Sequence, residues 1–172
     1  MKDQNKTIIF LHGKQSTPEG SGSGKAIREN FSKEYNVLIP DYKPMERTHE
    51  EIEAYLKEFI SPHHEALIVG ISLGGYWAYR MACILPSDLD LSCLLLNPYF
   101  FNYPEIEVSM PPTNISITVI VNLDDDLINP QEVMKRFQST ATIRAFEKGG
   151  HRFKDKTPII REITAVLQNN VK

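Results

Sequence analysis

The sequence predicts an α/β fold built on a mostly parallel sheet of about six strands with helices on both faces. Short apolar runs alternate with helix-patterned segments along the whole chain. The runs are almost continuously apolar, as strands buried on both faces must be. The segments between them have the length of crossover helices, which join parallel neighbours. No repeat, linker or low-complexity block divides the 172 residues, so one domain over 1–172 is expected.

"TIIFL" (7–11) reads as the first buried strand. In "GKAIRENFSKEY" (24–35), Ile27, Phe31 and Tyr35 recur every fourth residue, which predicts a helix. "NVLIP" (36–40) is a short strand. Thr48 and Glu51 make a capping box, the hydroxyl serving early amides and the carboxylate reaching back. The helix they open gathers Ile52, Leu56, Phe59 and Ile60 on one face. "EALIVGI" (65–71) is a strand, and "LGGYWAYRMACIL" (73–85) is a helix that stops at Pro86. "LSCLLLN" (91–97) and the β-branched "ISITVIV" (115–121) are strands. Asn129 then caps a helix that has Pro130 first and Glu132 third. "ATIRAF" (141–146) is the last strand. A final helix from about Pro158 turns Ile159, Ile163, Val166 and Leu167 inward.

The composition is that of a globular protein, with 41% hydrophobic and 24% charged residues. The net charge of -3 and the absence of a long basic run argue against nucleic acid as partner. The apolar run near the N-terminus is too short for a signal-peptide core or a membrane span, which predicts a cytoplasmic protein. Cys83 and Cys93 lie in apolar surroundings and read as small buried side chains.

In an open parallel sheet, ligands bind at the carboxyl ends of the strands. One motif there is Gly70-Ile71-Ser72-Leu73-Gly74, a G-x-S-x-G between a predicted strand and a predicted helix. A serine on such a sharp turn exposes its hydroxyl, and neighbours two residues either side must lack side chains. The helix N-terminus beneath it favours a developing anion. The bland alternative is a glycine-rich connection without chemistry.

A nucleophilic serine needs a base, and the base an orienting acid. They are expected in the order serine, acid, histidine, each after a later strand. Of the five histidines, His63 and His64 lie at the wrong edge of the sheet, and His49 sits exposed in a first helical turn. His12 precedes the serine and braces its loop. Only His151, in "EKGGHRFKD", has the right order and edge, with Gly149 and Gly150 giving it a flexible approach. The acid then falls in the triplet Asp124, Asp125 and Asp126, where solvated-turn and metal-ligand readings also compete.

An oxyanion needs two backbone N–H donors. Leu73, after the nucleophile, supplies one. Lys14 supplies the other, because Gly13 lets that loop turn toward the serine. "GSGSGKA" (20–26) resembles a phosphate loop, but Glu19 replaces its first glycine and Ala26 its magnesium-binding hydroxyl. It is rejected as a nucleotide site and expected to form a mobile rim.

With "IIFLHG", "GISLGGYWA", "VIVNLDDDLIN" and "GGHRF" in this order, the chain resembles the α/β-hydrolase superfamily, and within it the small lidless bacterial predicted esterases. The resemblance covers almost the whole chain. It implies a three-layer α/β-hydrolase fold, a Ser–Asp/Glu–His triad, and hydrolysis of carboxylic esters or thioesters without a metal or other cofactor. It also implies which aspartate is the acid. The residue is commonly followed by one variable residue, two aliphatics and a polar residue or proline, which selects Asp125 ahead of Asp126, Leu127, Ile128 and Asn129. The segment 98–114 is too short for a full lid, although its prolines and aromatics would cover part of the site.

The expectation is therefore an acyl-enzyme on Ser72, with His151 as base, Asp125 as acid, and Lys14 and Leu73 as oxyanion donors. The partner would be a small acyl ester or thioester. A non-catalytic binding protein on the same fold is the alternative, and a metal-dependent hydrolase using Asp124, Asp125 and histidines is a third. Tyr76, Trp77, Tyr99, Phe100, Phe101 and Tyr103 read either as core or as an acyl pocket. Lys14, Lys25, Arg152 and Lys154 read either as solvated surface or as a preference for an anionic group.

Overall fold

The structure is a computed structural model that describes residues 6–100 and 110–169. In chain order its elements are β1 (Lys6–Leu11), α1 (Gly22–Phe31), β2 (Asn36–Leu38), α2 (His49–Ile60), β3 (Glu65–Ile71) and α3 (Leu73–Ile84). They are followed by β4 (Asp90–Leu96), β5 (Ser116–Asn122), α4 (Pro130–Phe137), β6 (Thr142–Phe146) and α5 (Thr157–Asn169). The strands form one sheet in the order β2-β1-β3-β4-β5-β6, and every neighbouring pair is parallel. Fold class and element order therefore agree with the sequence reading.

Alternation along each central strand divides the core into two layers. Ile9, Leu11, Ala66, Ile68, Val119 and Val121 face one side with α2, α3 and α4. Ile8, Phe10, Leu67, Val69, Leu94 and Ile120 face the other with α1 and α5. Trp77 is fully buried on the first side, and Ile27, Ile159 and Ile163 are fully buried on the second. Removing each such side chain from water contributes roughly 1.5–3 kcal/mol.

Three local expectations change. α1 begins at Gly22 rather than 24, because Ser21 is its N-cap and accepts a hydrogen bond from the Gly24 amide at 3.2 Å. The segment read as a mobile rim is thus a capped first helical turn, with Ser23 and Gly24 buried. α1 also ends at Phe31, and Tyr35 packs back on Phe31 with ring centroids 6.1 Å apart. Phe101, Tyr103 and the rest of 101–109 lie outside the described residues. Both cysteines are free thiols, Cys93 buried and Cys83 half-buried. Burial raises both thiol pKa values, that of Cys83 to about 11.

α3 lies unusually close to the sheet. A Cβ added to Gly74 would fall 2.0 Å from the Leu11 carbonyl oxygen, and one added to Gly70 would fall 2.0 Å from that of Gly74. Both obstacles are backbone, so neither can rotate away. Gly74→Ala should therefore cost upwards of about 3 kcal/mol of unfolding free energy in urea titrations, whereas Gly13→Ala should cost under about 1 kcal/mol. The contrast follows from the nearest atom to an added Cβ at Gly13, which is 3.7 Å away.

Candidate active site

Ser72 joins β3 to α3 with φ 54° and ψ -118°, a left-handed backbone that a serine rarely adopts. Such a conformation costs on the order of 1–3 kcal/mol and persists only where its surroundings fix it. Here the Ser72 N–H donates to the Leu96 carbonyl at 3.0 Å. Its own carbonyl accepts from the amides of Gly75, Tyr76 and Tyr99 at 3.0, 3.3 and 2.9 Å.

The loop after β1 runs beside this turn, since a Cβ on Gly13 would lie 3.7 Å from Ser72 Cβ. Lys14 follows on the wall of the same cleft. Leu73 opens α3, so its amide has no intrahelical acceptor. His12 is fully buried, stacks on Tyr42 with centroids 4.6 Å apart, and has Nδ1 3.0 Å from the Gly13 carbonyl. The Tyr42 hydroxyl donates to the His12 carbonyl. Burial lowers the His12 pKa despite the Gly13 hydrogen bond, favouring a neutral ring that braces the loop.

The three aspartates after β5 have three different environments. Asp125 places Oδ2 2.8 Å from His151 Nδ1, and its Oδ1 accepts the Leu127 and Ile128 amides, both at 2.9 Å. Its side chain is only 1% exposed and that of His151 is 11% exposed. Burial pushes the Asp125 pKa up, but the His151 hydrogen bond and the two amides outweigh it and hold the carboxyl below its usual value. Asp124 is exposed yet not merely solvated, because its Oδ1 accepts the Gly150 amide at 2.8 Å. That bond, with burial opposing it, lowers the Asp124 pKa. Asp126 is exposed.

Two asparagines missed in the sequence complete the support. Asn97, just after β4, donates from Nδ2 to the carbonyls of Gly150 and His151, both at 3.1 Å. Its Oδ1 accepts the Asn122 amide at 2.8 Å. Asn122, the last residue of β5, donates from Nδ2 to the Gly150 carbonyl at 2.8 Å. Both side chains are buried. Gly150 has φ 63°, and a Cβ on Gly149 would fall 2.5 Å from Asn122 Nδ2. The two glycines thus allow close packing and a left-handed turn. A signal was present: two apolar strand runs each end in asparagine at the carboxyl edge of the sheet.

Ser72, Leu73, Lys14 and His151 all line one open cleft of about 880 Å³, with Ile71, Tyr99, Leu127 and Ile128 on its apolar wall. Arg152 and Lys156 also line it, whereas Lys25 and Lys154 do not. Tyr76 and Trp77 are core residues rather than pocket lining, and the half-buried Phe100 packs on that core against Tyr76. His49 is not exposed as expected: Nε2 lies 2.7 Å from the Tyr76 hydroxyl and its ring 4.5 Å from that of Trp77. Helix α2 packs on α3 and draws it inward. Among the described residues, no three His, Cys, Asp or Glu side chains are grouped to hold a metal ion. No described helix is long and apolar enough to cross a membrane.

Residues 7–115 match the model of the uncharacterised protein family UPF0227, more than half of the chain. A curated relative, the UPF0227 protein YcfP of Escherichia coli O9:H4 (strain HS), is 25% identical over 181 residues, covering 92% of this chain and 97% of the relative. Among solved structures, a protein of Thermoplasma acidophilum described as a predicted CIB-like hydrolase superposes with a TM-score of 0.79 at 18% identity, over 98% of this chain and 89% of that one. Mouse alpha/beta hydrolase domain-containing protein 10 gives a TM-score of 0.77 at 15% identity, over 95% and 90%. The chain belongs to the UPF0227 family, and its fold is that of the α/β-hydrolase superfamily.

The depressed Asp125 pKa fixes the sign of one linkage. A carboxyl whose folded pKa lies below its unfolded value of about 3.9 stabilises the fold above that pH and loses the contribution as pH falls through the folded pKa. Urea unfolding of wild type and Asp125→Asn should therefore differ most near pH 7, and the gap should narrow steadily below about pH 4.

Proposed function

We propose that the protein is a serine hydrolase that cleaves a carboxylic ester or thioester through an acyl-enzyme on Ser72. The observation that carries this reading is the 2.8 Å contact of His151 Nδ1 with the buried Asp125 carboxylate, in the cleft that also holds the strained Ser72. With Nδ1 committed to Asp125, the other imidazole nitrogen is the one free to exchange a proton. Naming of the fold relative from Thermoplasma acidophilum as a hydrolase is consistent with the reading.

In this mechanism the free imidazole nitrogen removes the Ser72 proton as Oγ attacks the acyl carbon. The carbonyl π bond becomes an alkoxide, held by the Leu73 and Lys14 amides. Asp125, already ionised, stabilises the imidazolium without taking its proton. Collapse of the intermediate breaks the bond to the leaving oxygen or sulfur, which receives the proton from His151. Water, deprotonated by the same histidine, then attacks the acyl-enzyme and releases the acid. An oxyanion donor contributes about 3 kcal/mol to such a barrier.

Fluorophosphonate labelling followed by peptide mass spectrometry tests the reading directly. Covalent modification at Ser72, lost in Ser72→Ala with the fold retained, is expected. A Ser72→Ala protein that still hydrolyses esters overturns it, and a wild-type protein that takes no label points instead to a binding protein. Among the aspartates, Asp125→Asn should lower kcat by on the order of 10³–10⁴-fold. Asp126→Asn should leave kcat within about twofold, since an exposed side chain away from the network changes little. Asp124→Asn should fall between them, through the Gly150 amide it holds. Equal losses at all three would remove Asp125 from its role.

A further inference from the structure

The cleft has an asymmetric charge lining that the proposed hydrolysis does not use. The chain carries a net charge of -3, yet among the described residues no aspartate or glutamate lines the cleft, whereas Lys14, Arg152 and Lys156 all do. None of the three forms an ion pair with a carboxylate among the described residues. Lys156 is half-buried, and its ammonium donates to the carbonyls of Arg152 and Phe153. The nearby Asp155 accepts the Thr157 amide at 2.9 Å and does not line the cleft, although its charge attracts the Lys156 ammonium. Gly22, in the first turn of α1, lies against Lys156, since a Cβ there would sit 3.6 Å from Lys156 Cε. The positive end of that helix therefore adds to the same wall. Cations gathered in a concave site on an acidic protein concentrate the field toward an anion.

Position within the cleft tells which half of a substrate the cations meet. His151 must hand its proton to the leaving atom, so the leaving group lies beside the imidazole. Arg152 follows His151 directly in the chain, and Lys156 is tied to the carbonyls of Arg152 and Phe153. The apolar Ile71, Tyr99, Leu127 and Ile128 are left for the acyl portion.

We propose that the cleft takes an ester or thioester whose leaving alcohol or thiol carries a carboxylate or phosphate, held by Arg152 and Lys156, with Lys14 as a further cation of the same cleft. This rests on the hydrolase reading above and adds the substrate class to it. The chemistry transferred is unchanged: the acyl–oxygen or acyl–sulfur bond breaks, and the leaving atom takes the proton from His151.

The test compares three butyrate esters in a pH-stat: those of 3-hydroxypropionate, of ethylene glycol monophosphate, and of neutral 3-hydroxypropionamide. At low salt, kcat/KM for at least one anionic ester should exceed that of the neutral one by about tenfold, as expected for two or three partly exposed ion pairs. The advantage should shrink as ionic strength rises. In Arg152→Glu the anionic-to-neutral ratio should fall to one or below. Comparison of the two anionic esters decides between carboxylate and phosphate. A neutral ester turned over equally well, or a ratio that survives Arg152→Glu, overturns the proposal. So does an anionic preference found instead on the acyl side, with monomethyl succinate favoured over methyl butyrate. If Arg152→Glu fails to fold, Lys156→Met and the salt dependence of the wild type decide the same question. Calorimetric titration of Ser72→Ala with the same esters separates this proposal from the hydrolase reading. Anion-selective binding without turnover in the wild type would retain the subsite and remove the hydrolase, and turnover without selectivity would do the reverse.

Discussion

The site depends on how closely α3 is allowed to approach the sheet. Gly74 sits against the carbonyls of Leu11 and His12, and Gly70 sits against Gly74. No side chain of any size fits these gaps, and this closeness brings the start of α3 up to the end of β1. Two things follow together. The backbone at Ser72 must turn through a left-handed conformation to connect β3 with so near a helix. The Gly13–Lys14 loop is brought alongside the same serine. The Ser72 turn and the Gly13–Lys14 loop beside it are thus both consequences of one steric fact, and the strain at Ser72 is held by its four backbone hydrogen bonds and by the burial of Trp77 and Leu73 behind it.

The other half of the site is held by polar groups rather than by packing. The loop carrying His151 is fastened to the sheet edge by Asn97, Asn122 and Asp124, which bond to Gly150 and His151 through backbone atoms only. Each such bond is worth about 1 kcal/mol net, and a buried amide stripped of its partner costs more than the bond contributes. Asn97 has φ 41° and takes over where the β4 ladder ends, its N–H still donating to the Ile120 carbonyl. The imidazole therefore has its main chain fixed by the asparagines and its ring fixed by Asp125, so neither depends on the other for position.

Much of this was legible in the sequence because the relevant signals are local. Continuous apolar runs identified every strand to within a residue or so at the central positions, and the capping box at Thr48 and the Asn129–Pro130 start are written in adjacent residues. The G-x-S-x-G glycines predicted the turn because they encode a steric requirement. What failed was non-local. Ser21 capping α1 two residues early, His49 drawn under Tyr76 and Trp77, and Lys156 brought to the α1 terminus all depend on packing between segments far apart in the chain. The asparagine fastening was half visible, as a polar residue closing an apolar run, but its partners across the sheet were not.

The aspartate triplet shows how the fold resolves a cost that the sequence alone makes conspicuous. Adjacent carboxylates repel, and at an effective dielectric near 20 two charges 4 Å apart oppose each other by about 4 kcal/mol. Here each charge is directed to a different sink. Asp125 points inward to two amides and an imidazole, Asp124 points across to the Gly150 amide, and Asp126 faces solvent. Turning the three side chains apart lengthens the separations, and donors on two of them favour the ionised form against burial. The lowered values at Asp124 and Asp125 are the net of that contest. The run of charge is thus divided between two jobs on one loop, anchoring the His151 segment and orienting its ring, and the third carboxylate keeps the turn in water.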